Sequence, residues 1–436
     1  MGHRTLRRCG FGPGRTPVNE QPTRPAGRMN GITKPRELSM HHFVGLDWAS
    51  RAHAVCIVDE HGLVVSRFDV AHDEAGLAQL QERLTRIGDL TIAIERPEGV
   101  LVDTLLDAGF NVVAIHPNVV KAVRSRYRTA GKSDTGDAYI LADLLRTDGH
   151  RFKVLVPHAS DIKALRLLVR LRKDFVRTRV GLSNQLRSIL QALYPGAAQI
   201  FADIDSPIAL AFLRAFPSEA HAAKLTERRL QRFLTENAYC GRRPVTELLA
   251  RLRNAAHAVI TDEVAETGAV GVIAVVETLA PLVMQITSLT AKIDARLREL
   301  PDAKIVQSFP GSGSVTAAMI LAKLGSDRER IQTPEHFAAL AGVTPVTYAS
   351  GKHRAVGFRW ACDHELREAL TCLADNSRKR SAWAADMYRR ARDRGCDHPH
   401  AVRILARAWA RVIWKCWREH ALYDPLQHGQ AARFAA

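Results

Sequence analysis

The sequence predicts an α/β protein with a mixed β-sheet near its amino terminus and helices over most of the remaining chain. Two observations lead to this fold class. Three short β-rich runs, at 43–48, 53–59 and 63–70, are separated only by gaps of turn length. Helical and strand-like segments then alternate between residues 73 and 146. Three strands followed by alternating units are typical of a mixed sheet with helices packed against it.

The order of the later elements narrows this prediction. A helical pattern at 73–87 is followed by a compact strand at 90–95, a second helix at 100–108 and a second strand at 111–116. A basic loop then leads into a helix at 134–146. The resulting order, β-β-β-α-β-α-β-α, is that of the ribonuclease H-like fold. In that topology the first and fourth strands are neighbours.

The pattern becomes helical beyond this region. One long helix is predicted from about 160 to 193, where Tyr194-Pro195-Gly196 ends it. Residues 200–270 read as shorter helices. A short heptad stripe then follows, made of Leu279, Leu282, Ile286, Leu289, Ile293 and Leu300. This stripe fits a helix packed on its own domain and a dimer seam equally well.

Composition divides the chain into five predicted segments. Residues 1–40 hold Gly, Pro and Arg without apolar periodicity, and we expect a disordered basic arm there. The sheet domain is predicted over 41–157 and a helical, coiled-coil-like region over 158–300. A mainly α-helical domain follows over 301–424, with a tail at 425–436.

Overall charge and cysteine content restrict the class of protein. Lys and Arg outnumber Asp and Glu by 62 to 45, which gives a net charge of +17 and suits a polyanionic partner. The seven cysteines form no CxxC pair, which suits a reducing cytoplasm rather than secretion. No uninterrupted apolar run reaches about 18 residues, so we expect no membrane-spanning helix.

Four carboxylates are expected at one edge of the sheet. Asp47 ends the first strand and Glu95 ends the fourth, while Asp134 and Asp137 share one face of a helix start. Converging carboxylates need cations to remain ionised together, and hard oxygen ligands suit Mg²⁺ or Mn²⁺. Two such ions can activate the attacking oxygen and stabilise the leaving oxygen of a phosphodiester.

Each acid also has a structural alternative. Asp47 could begin a turn, and Glu95 could pair with Arg96. Asp134 and Asp137 would suit a helix cap and a first-turn acid that the helix dipole favours. Their joint position on the predicted elements favours the metal site.

A basic segment precedes these helix acids. It surrounds Tyr127 and consists of Lys121, Arg124, Arg126, Arg128 and Lys132. A basic segment beside an acidic cluster is what binding of a phosphate backbone together with metal chemistry requires. A solvated loop is the alternative.

Three stretches make the sequence similar to a known family: GLD at 45–47, IE at 94–95 and GKSDTGDA at 131–138. They resemble the DEDD transposases of bacterial insertion sequences of the IS110 type, which include the Piv-like DNA invertases. The resemblance implies a RuvC-like domain whose catalytic and metal-binding acids are Asp47, Glu95, Asp134 and Asp137.

The stretch YASGKHR at 348–354 resembles the part of the same family that carries a serine nucleophile, and Ser350 is the matching position. Judged by the residues alone, Ser350 belongs to an ordinary loop. Lys352 and Arg354 could supply positive charge at the transition state, and His353 could accept the serine proton. The following segment, 358–367, departs from the commoner family pattern because it lacks a glycine-containing basic turn.

The last predicted helix carries four cations at intervals of four residues. They are Arg403, Arg407, Arg411 and Lys415. A solvated helix face is the ordinary explanation. Because these cations have no acid interleaved between them and repel one another, a phosphate partner explains the stripe more economically.

These observations and the resemblance together imply a transposase or recombinase of an insertion sequence. Ser350 would form a transient phosphoserine link to DNA, and the Mg²⁺-binding acids would complete the reaction. The family resemblance further implies donor and target DNA, a non-coding bridge RNA and a homo-oligomer as partners. Two alternatives remain at this point: a RuvC-like nuclease without serine chemistry, and an inactive nucleic-acid-binding relic.

Overall fold

The fold is taken from a computed structural model, which describes residues 41–127, 133–157, 159–351 and 353–427. The chain divides into two compact units, and the boundary lies between Leu155 and Val156. The predicted arm at 1–40, most of the tail, and the predicted contact residues Arg128, Lys132 and Lys352 lie outside the described residues.

The first unit contains a five-stranded mixed sheet. Its strands are β1 (His42–Asp47), β2 (Ala52–Val58), β3 (Val64–Ala71), β4 (Leu90–Ile94) and β5 (Asn111–Ala114). They lie in the order β3-β2-β1-β4-β5. β1 pairs antiparallel with β2 and parallel with β4, which confirms that the first and fourth strands are neighbours.

Four helices accompany this sheet: α1 (Glu74–Ile87), α2 (Val100–Asp107), α3 (Pro117–Val123) and α4 (Asp134–Asp148). The prediction of a basic loop before α4 is wrong over its first part, because α3 and a short 3₁₀ turn at Arg124–Arg126 occupy it. Pro117 at the first helical position and Val120, which is fully buried, account for α3.

The neighbouring strands β1 and β4 are buried on both faces of the sheet. Leu46, Ile92 and Ile94 belong to the core that includes residues of α1 and α2. Gly45 and Ala93 alternate with them and face α4 instead. This near-continuous burial explains why the strands read as apolar runs rather than as alternating patterns.

Helix α4 approaches β1 unusually closely, at Gly45. A Cβ atom at that position would lie 1.8 Å from the carbonyl oxygen of Ala138 and 2.5 Å from the backbone nitrogen of Ala142. The other end of α4 reaches the hairpin between β2 and β3, where Arg146 donates a hydrogen bond to the carbonyl of Glu60 at 3.3 Å. Since that hairpin adjoins the start of β1, α4 runs antiparallel to β1.

The second unit is mostly helical. Two long helices, α5 (Ser160–Leu193) and α11 (Asp262–Glu299), pack side by side, and α5 confirms the predicted long helix. Between them lie α6 (Pro195–Ile200), α7 (Pro207–Ala215), α8 (Glu219–Ala222), α9 (Glu227–Glu236) and α10 (Val245–Arg253). After them come α12 (Ala303–Gln307), α13 (Ser314–Leu324), α14 (Pro334–Leu340), β6 (Val346–Ser350), β7 (His353–Gly357), α15 (His364–Ser377), α16 (Ala382–Asp393) and α17 (His398–Arg418).

The long helices are antiparallel and join two cores. The start of α5 and the end of α11, with Leu165 and Ile293, belong to the core of the carboxyl-terminal helices. The opposite ends, with Leu190 and Val276, belong to the core of α6–α10. Of the heptad stripe, Leu279 belongs to the second of these cores, Ile293 and Leu300 belong to the first, and Ile286 is also buried. Packing within the chain therefore accounts for the stripe, and the middle and carboxyl-terminal segments form one unit.

Among the described helices, α11 alone is long and apolar enough to cross a membrane, judged by length and composition only. The expectation of no membrane-spanning helix rested on uninterrupted apolar runs, and α11 meets the length and composition criterion although polar residues interrupt its apolar ones. Residues at both ends of α11 are buried in the cores of the second unit. These contacts describe a core helix.

Candidate active site

The ends of β1 and β4 place two of the predicted acids side by side. Asp47 is the last residue of β1, and Glu95 directly follows Ile94, whose partner in β1 is Leu46. Both acids are half-buried. The guanidinium carbon of Arg96 lies 4.1 Å from the centroid of the Trp48 ring, so the residues that follow the two acids are also in contact.

The start of α4 brings the other two acids to the same edge of the sheet. Asp134 and Asp137 lie in the first turn of α4, and the Ser133 hydroxyl caps the helix by accepting a hydrogen bond from the Gly136 amide at 3.2 Å. Because α4 runs antiparallel to β1, its first turn lies at the carboxyl end of β1, where Asp47 stands. The capping role suggested for Asp134 therefore belongs to Ser133 instead.

Asp137 is buried and forms an ion pair. Its Oδ1 atom accepts a hydrogen bond from Nη2 of Arg124 at 2.7 Å, and its side chain is only 7% exposed. Nε of Arg124 is buried and has no hydrogen-bond partner among the described residues. Arg124, which was predicted to contact nucleic acid, thus balances the charge of one of the predicted metal ligands.

The predicted acids share an edge, but their side chains do not form a metal-binding group. In the part of the chain that the structure describes, no three His, Cys, Asp or Glu side chains lie close enough to hold an ion. Like charges repel at short range, and the Arg124 ion pair holds Asp137. The backbone placement and the all-carboxylate donor set nevertheless suit a hard divalent cation.

Tyr127 holds the basic segment against α4. Its hydroxyl donates a hydrogen bond to Oδ2 of Asp143 at 2.8 Å, and its ring meets the Tyr139 ring edge-on. Burial raises the pKa of the Tyr127 hydroxyl, and the neighbouring Asp143 carboxylate raises it further. Arg126 next to it is exposed to solvent. The segment is therefore anchored by its aromatic residue and leaves Arg126 accessible.

A pair of histidines, buried His53 and half-buried His72, lies at the same end of the sheet and was missed by sequence reasoning. Nδ1 of His53 accepts a hydrogen bond from the Ala49 amide at 3.3 Å, so the His53 proton resides on Nε2 and is donated to Nδ1 of His72 at 2.8 Å. Burial lowers the pKa of His53, and the nearby His72 lowers it further. The pair fastens the turn that follows Asp47. A histidine on the apolar face of a predicted strand was the available signal.

Ser350 lies at the tip of a β-hairpin. It is the last residue of β6, is exposed, and pairs with His353 across the turn that contains Gly351. The expectation of an ordinary loop is corrected here, because 346–350 and 353–357 form two regular strands. Gly351 has φ +55°, a left-handed conformation that favours glycine and explains its position in the turn.

The hairpin and the chain after it present further cations. Arg354 is exposed on β7. The guanidinium carbons of Arg367 and Arg403 lie 4.4 and 5.0 Å from the centroid of the Phe358 ring. Of the predicted contact residues in this part of the chain, Arg354 therefore faces solvent, whereas Arg403 already stacks on a ring of the protein.

The stripe on α17 is less uniform than its spacing indicates. Arg411 pairs with Glu335 of α14 at 3.1 Å, and Lys415 lies 4.0 Å from Glu419. Arg407 is half-buried. Glu335 of α14 and Glu419, the residue just after α17, therefore compensate part of the repulsion between the cations of the stripe.

Two transposase profiles match the chain. A DEDD transposase profile of the IS110 type matches residues 44–195, which include the sheet and the predicted acids. A profile described as transposase of the IS116/IS110/IS902 family matches residues 303–389, which include the hairpin and Ser350.

Several curated relatives are similar over nearly their whole length. The protein named as mini-circle transposase for IS117 of Streptomyces coelicolor is 32% identical over 401 residues, which are 89% of this chain and 96% of the relative. The IS900 42 kDa protein of Mycobacterium paratuberculosis is 26% identical over 89% of this chain and 99% of its own length. The IS116 44.8 kDa protein of Streptomyces clavuligerus is 27% identical over 88% and 96%.

The mixed sheet with acids at one edge and the two matched segments define a DNA transposase or recombinase, an enzyme that cuts and rejoins DNA. Within that class, the chain belongs to the IS116/IS110/IS902 family of insertion-sequence transposases.

Proposed function

We propose that the protein moves its insertion sequence by serine recombination, with Ser350 as the nucleophile and Asp47, Glu95, Asp134 and Asp137 as a Mg²⁺ site in a RuvC-like domain. The observation that carries the acid site is the parallel pairing of β1 with β4. That pairing, together with the antiparallel course of α4 relative to β1, supports a common site for the four acids. A bound Mg²⁺ would supply Lewis-acid stabilisation of charge on phosphate oxygens.

The position of Ser350 suits attack on a phosphodiester. Its hydroxyl stands at an exposed hairpin tip beside His353, and Arg354 adds positive charge on the same hairpin. In the proposed step the Ser350 Oγ–P bond forms while the P–O bond to the departing strand breaks. The serine proton passes to a base, for which His353 is available, and the departing oxygen takes up a proton from that protonated base or from water to become a hydroxyl. Attack by the hydroxyl of the joining strand reverses these changes.

The partners of this reaction are part of the proposal. Donor and target DNA are the substrates, a non-coding bridge RNA pairs with them, and a homo-oligomer acts in the bacterial cytoplasm without a membrane. The net charge of +17 supports polyanionic partners. The exposed cations Arg126 and Arg354 are candidate phosphate contacts among the described residues.

Detection of a covalent protein–DNA adduct tests the serine step. The full chain is mixed with Mg²⁺, RNA transcribed from the flanks of the element, and donor and target DNA, and the products are separated on a denaturing gel. We expect an adduct that Ser350→Ala abolishes. Thr347→Ala is the matched control, because it removes another exposed hydroxyl from the same strand and should leave the adduct intact.

The acids are tested in the same assay. Asp47→Asn and Glu95→Gln should reduce strand cleavage at least 100-fold, because each removes a charge from the proposed site. Asp148→Asn changes a carboxylate at the opposite end of α4 and should leave cleavage unchanged. Cleavage without an adduct, unaffected by Ser350→Ala, would instead establish a metal-dependent nuclease.

A further inference from the structure

The hairpin that carries Ser350 is exposed on both faces. Every residue from Thr347 to Val356 that the structure describes is exposed. A two-stranded hairpin without a packed face is marginally stable in water by itself. An exposed aromatic residue on such a hairpin therefore suggests contact with a partner.

Strand register sorts the hairpin side chains into two faces. Tyr348 pairs with Ala355 and Ser350 with His353, and alternation along the strands puts these four residues on one face. Thr347, which pairs with Val356, belongs to the opposite face. Tyr348 and Ser350 are thus same-face neighbours, with Cα atoms about 7 Å apart.

The Tyr348 ring rests on a position without a side chain. A Cβ atom at Gly357 would lie 2.8 Å from Cε2 of Tyr348, so glycine is what leaves room for the ring. The Tyr348 side of the hairpin is open, and the residue is 58% exposed. A ring supported from below and open above is a flat surface on which a planar group can stack.

The charge of the sequence that contains the hairpin indicates which planar group this is. No Asp or Glu occurs between Glu335 and Asp363, whereas Lys352, Arg354 and Arg359 lie within that interval. A region with cations and no acids attracts a polyanion, and nucleic-acid bases stack on aromatic side chains with little dependence on sequence.

We propose that Tyr348, supported by Gly357, is a stacking platform for a DNA base adjacent to the phosphate that Ser350 attacks. The proposal rests on the proposed function, because it assigns the neighbouring residue Ser350 to that phosphate. Tyr348 acts as a positioning residue: stacking holds the nucleotide so that its phosphate faces the serine hydroxyl.

Photocrosslinking tests this platform directly. The full chain is bound, with the flanking-region RNA, to duplex donor DNA in which 5-iodouracil is substituted at one position after another. The crosslinked residue is identified by mass spectrometry. We expect one substituted position to crosslink to Tyr348. Tyr348→Phe should keep the yield within about twofold, and Tyr348→Leu, which covers Gly357 without a π-face, should lower it at least tenfold.

Two further variants make the result specific. Val356→Ala changes a residue of similar exposure on the opposite face of the hairpin, and it should leave the yield unchanged. Ser350→Ala should keep the Tyr348 crosslink while it abolishes the phosphoserine adduct. If the wild-type chain gives the Tyr348 crosslink but no adduct, that result contradicts the serine mechanism alone.

Three outcomes would overturn the platform. They are a crosslink that maps to the exposed Trp360 and not to Tyr348, an equal yield from Tyr348→Leu, and bound DNA that gives no crosslink at all. Failure of the wild-type chain to bind this DNA would overturn the proposed function, and the platform with it.

Discussion

At the scale of single residues, two polar side-chain pairs fix the structure around the predicted acids. Arg124 compensates the buried charge of Asp137, and His72 shares a hydrogen bond with buried His53. Each pair satisfies a group that would be costly to bury alone. A metal ion at the proposed site would have to compete with the first pair for the same carboxylate.

Arg124→Gln should therefore have two effects. It leaves Asp137 without its counter-charge, and we expect the free energy of unfolding to fall by about 2–3 kcal/mol. Mg²⁺ should then raise the melting temperature of the variant more than that of the wild type, since the Asp137 carboxylate can bind the ion without first breaking an ion pair with arginine. Thermal unfolding with and without Mg²⁺ measures both effects. Arg126→Gln, which alters an exposed neighbour, is the control; equal Mg²⁺ effects in all three chains would contradict the expectation.

The histidine pair predicts a pH dependence. The pKa of His53 in the folded chain lies below its ordinary value of about 6.5, so between these two values the unfolded chain binds a proton that the folded chain does not. Stability should consequently fall as the pH falls through this window. Melting temperatures between pH 7.5 and 5 should decrease less steeply for His53→Asn than for the wild type. His61→Asn, at an exposed position, should retain the wild-type slope.

At the scale of elements, the position of α4 on β1 determines where the helix acids stand. The contact between them depends on the missing side chain of Gly45. Since the nearest atoms belong to the α4 backbone, no side-chain rotation can relieve a clash there. The acid-bearing first turn of α4 is located through this contact.

Gly45→Ala should move α4 away from the sheet. We expect a loss of about 2–3 kcal/mol of stability from the forced shift. DNA cleavage should fall as well, because Asp134 and Asp137 would move with the helix. Gly181→Ala in α5 is the matched control: a Cβ atom there meets nothing within 4 Å, and alanine favours helix, so stability should rise by about 0.5–1 kcal/mol. Chemical denaturation measures both variants, and an unchanged Gly45→Ala chain would refute the close contact.

At the scale of the whole molecule, two compact units carry the two predicted sets of reactive residues. The acids belong to the first unit, and Ser350 belongs to the second. The net charge of +17 is the sum over the entire sequence. Individual cations differ, however: Arg354 is exposed on the hairpin, whereas Arg411 is paired with Glu335.

This difference predicts the salt dependence of DNA binding. The affinity of the full chain for duplex DNA should fall about 10³-fold or more between 50 and 200 mM salt, as phosphate contacts release counterions. Arg354→Ala should reduce the slope of log affinity against log salt concentration by about 1, because one contact with a DNA phosphate is lost. Arg411→Ala should change it less, since its charge is already compensated. Fluorescence anisotropy across a salt series measures the slopes, and identical slopes for the two variants would refute this assignment.

Local pattern was sufficient for much of the first unit. The succession of strands and helices and the positions of Asp47 and Glu95 at strand ends follow from apolar runs and turn residues. In the second unit, local pattern likewise predicted the long helix α5. Helix α3 and the β6–β7 hairpin were read as loops. Both are short, and the described hairpin strands lack the buried face that makes a strand recognisable.

The sequence by itself determined the fold class of the first unit, the family of the chain and the residue types available for chemistry, because periodicity and short motifs are local properties. Only the tertiary structure decided which charges are compensated and which faces are open. The pairing of Arg124 with Asp137 and of Arg411 with Glu335, and the packing of the heptad stripe within the chain, depend on elements far apart in sequence. Long-range packing brings such partners together, and no local pattern encodes it.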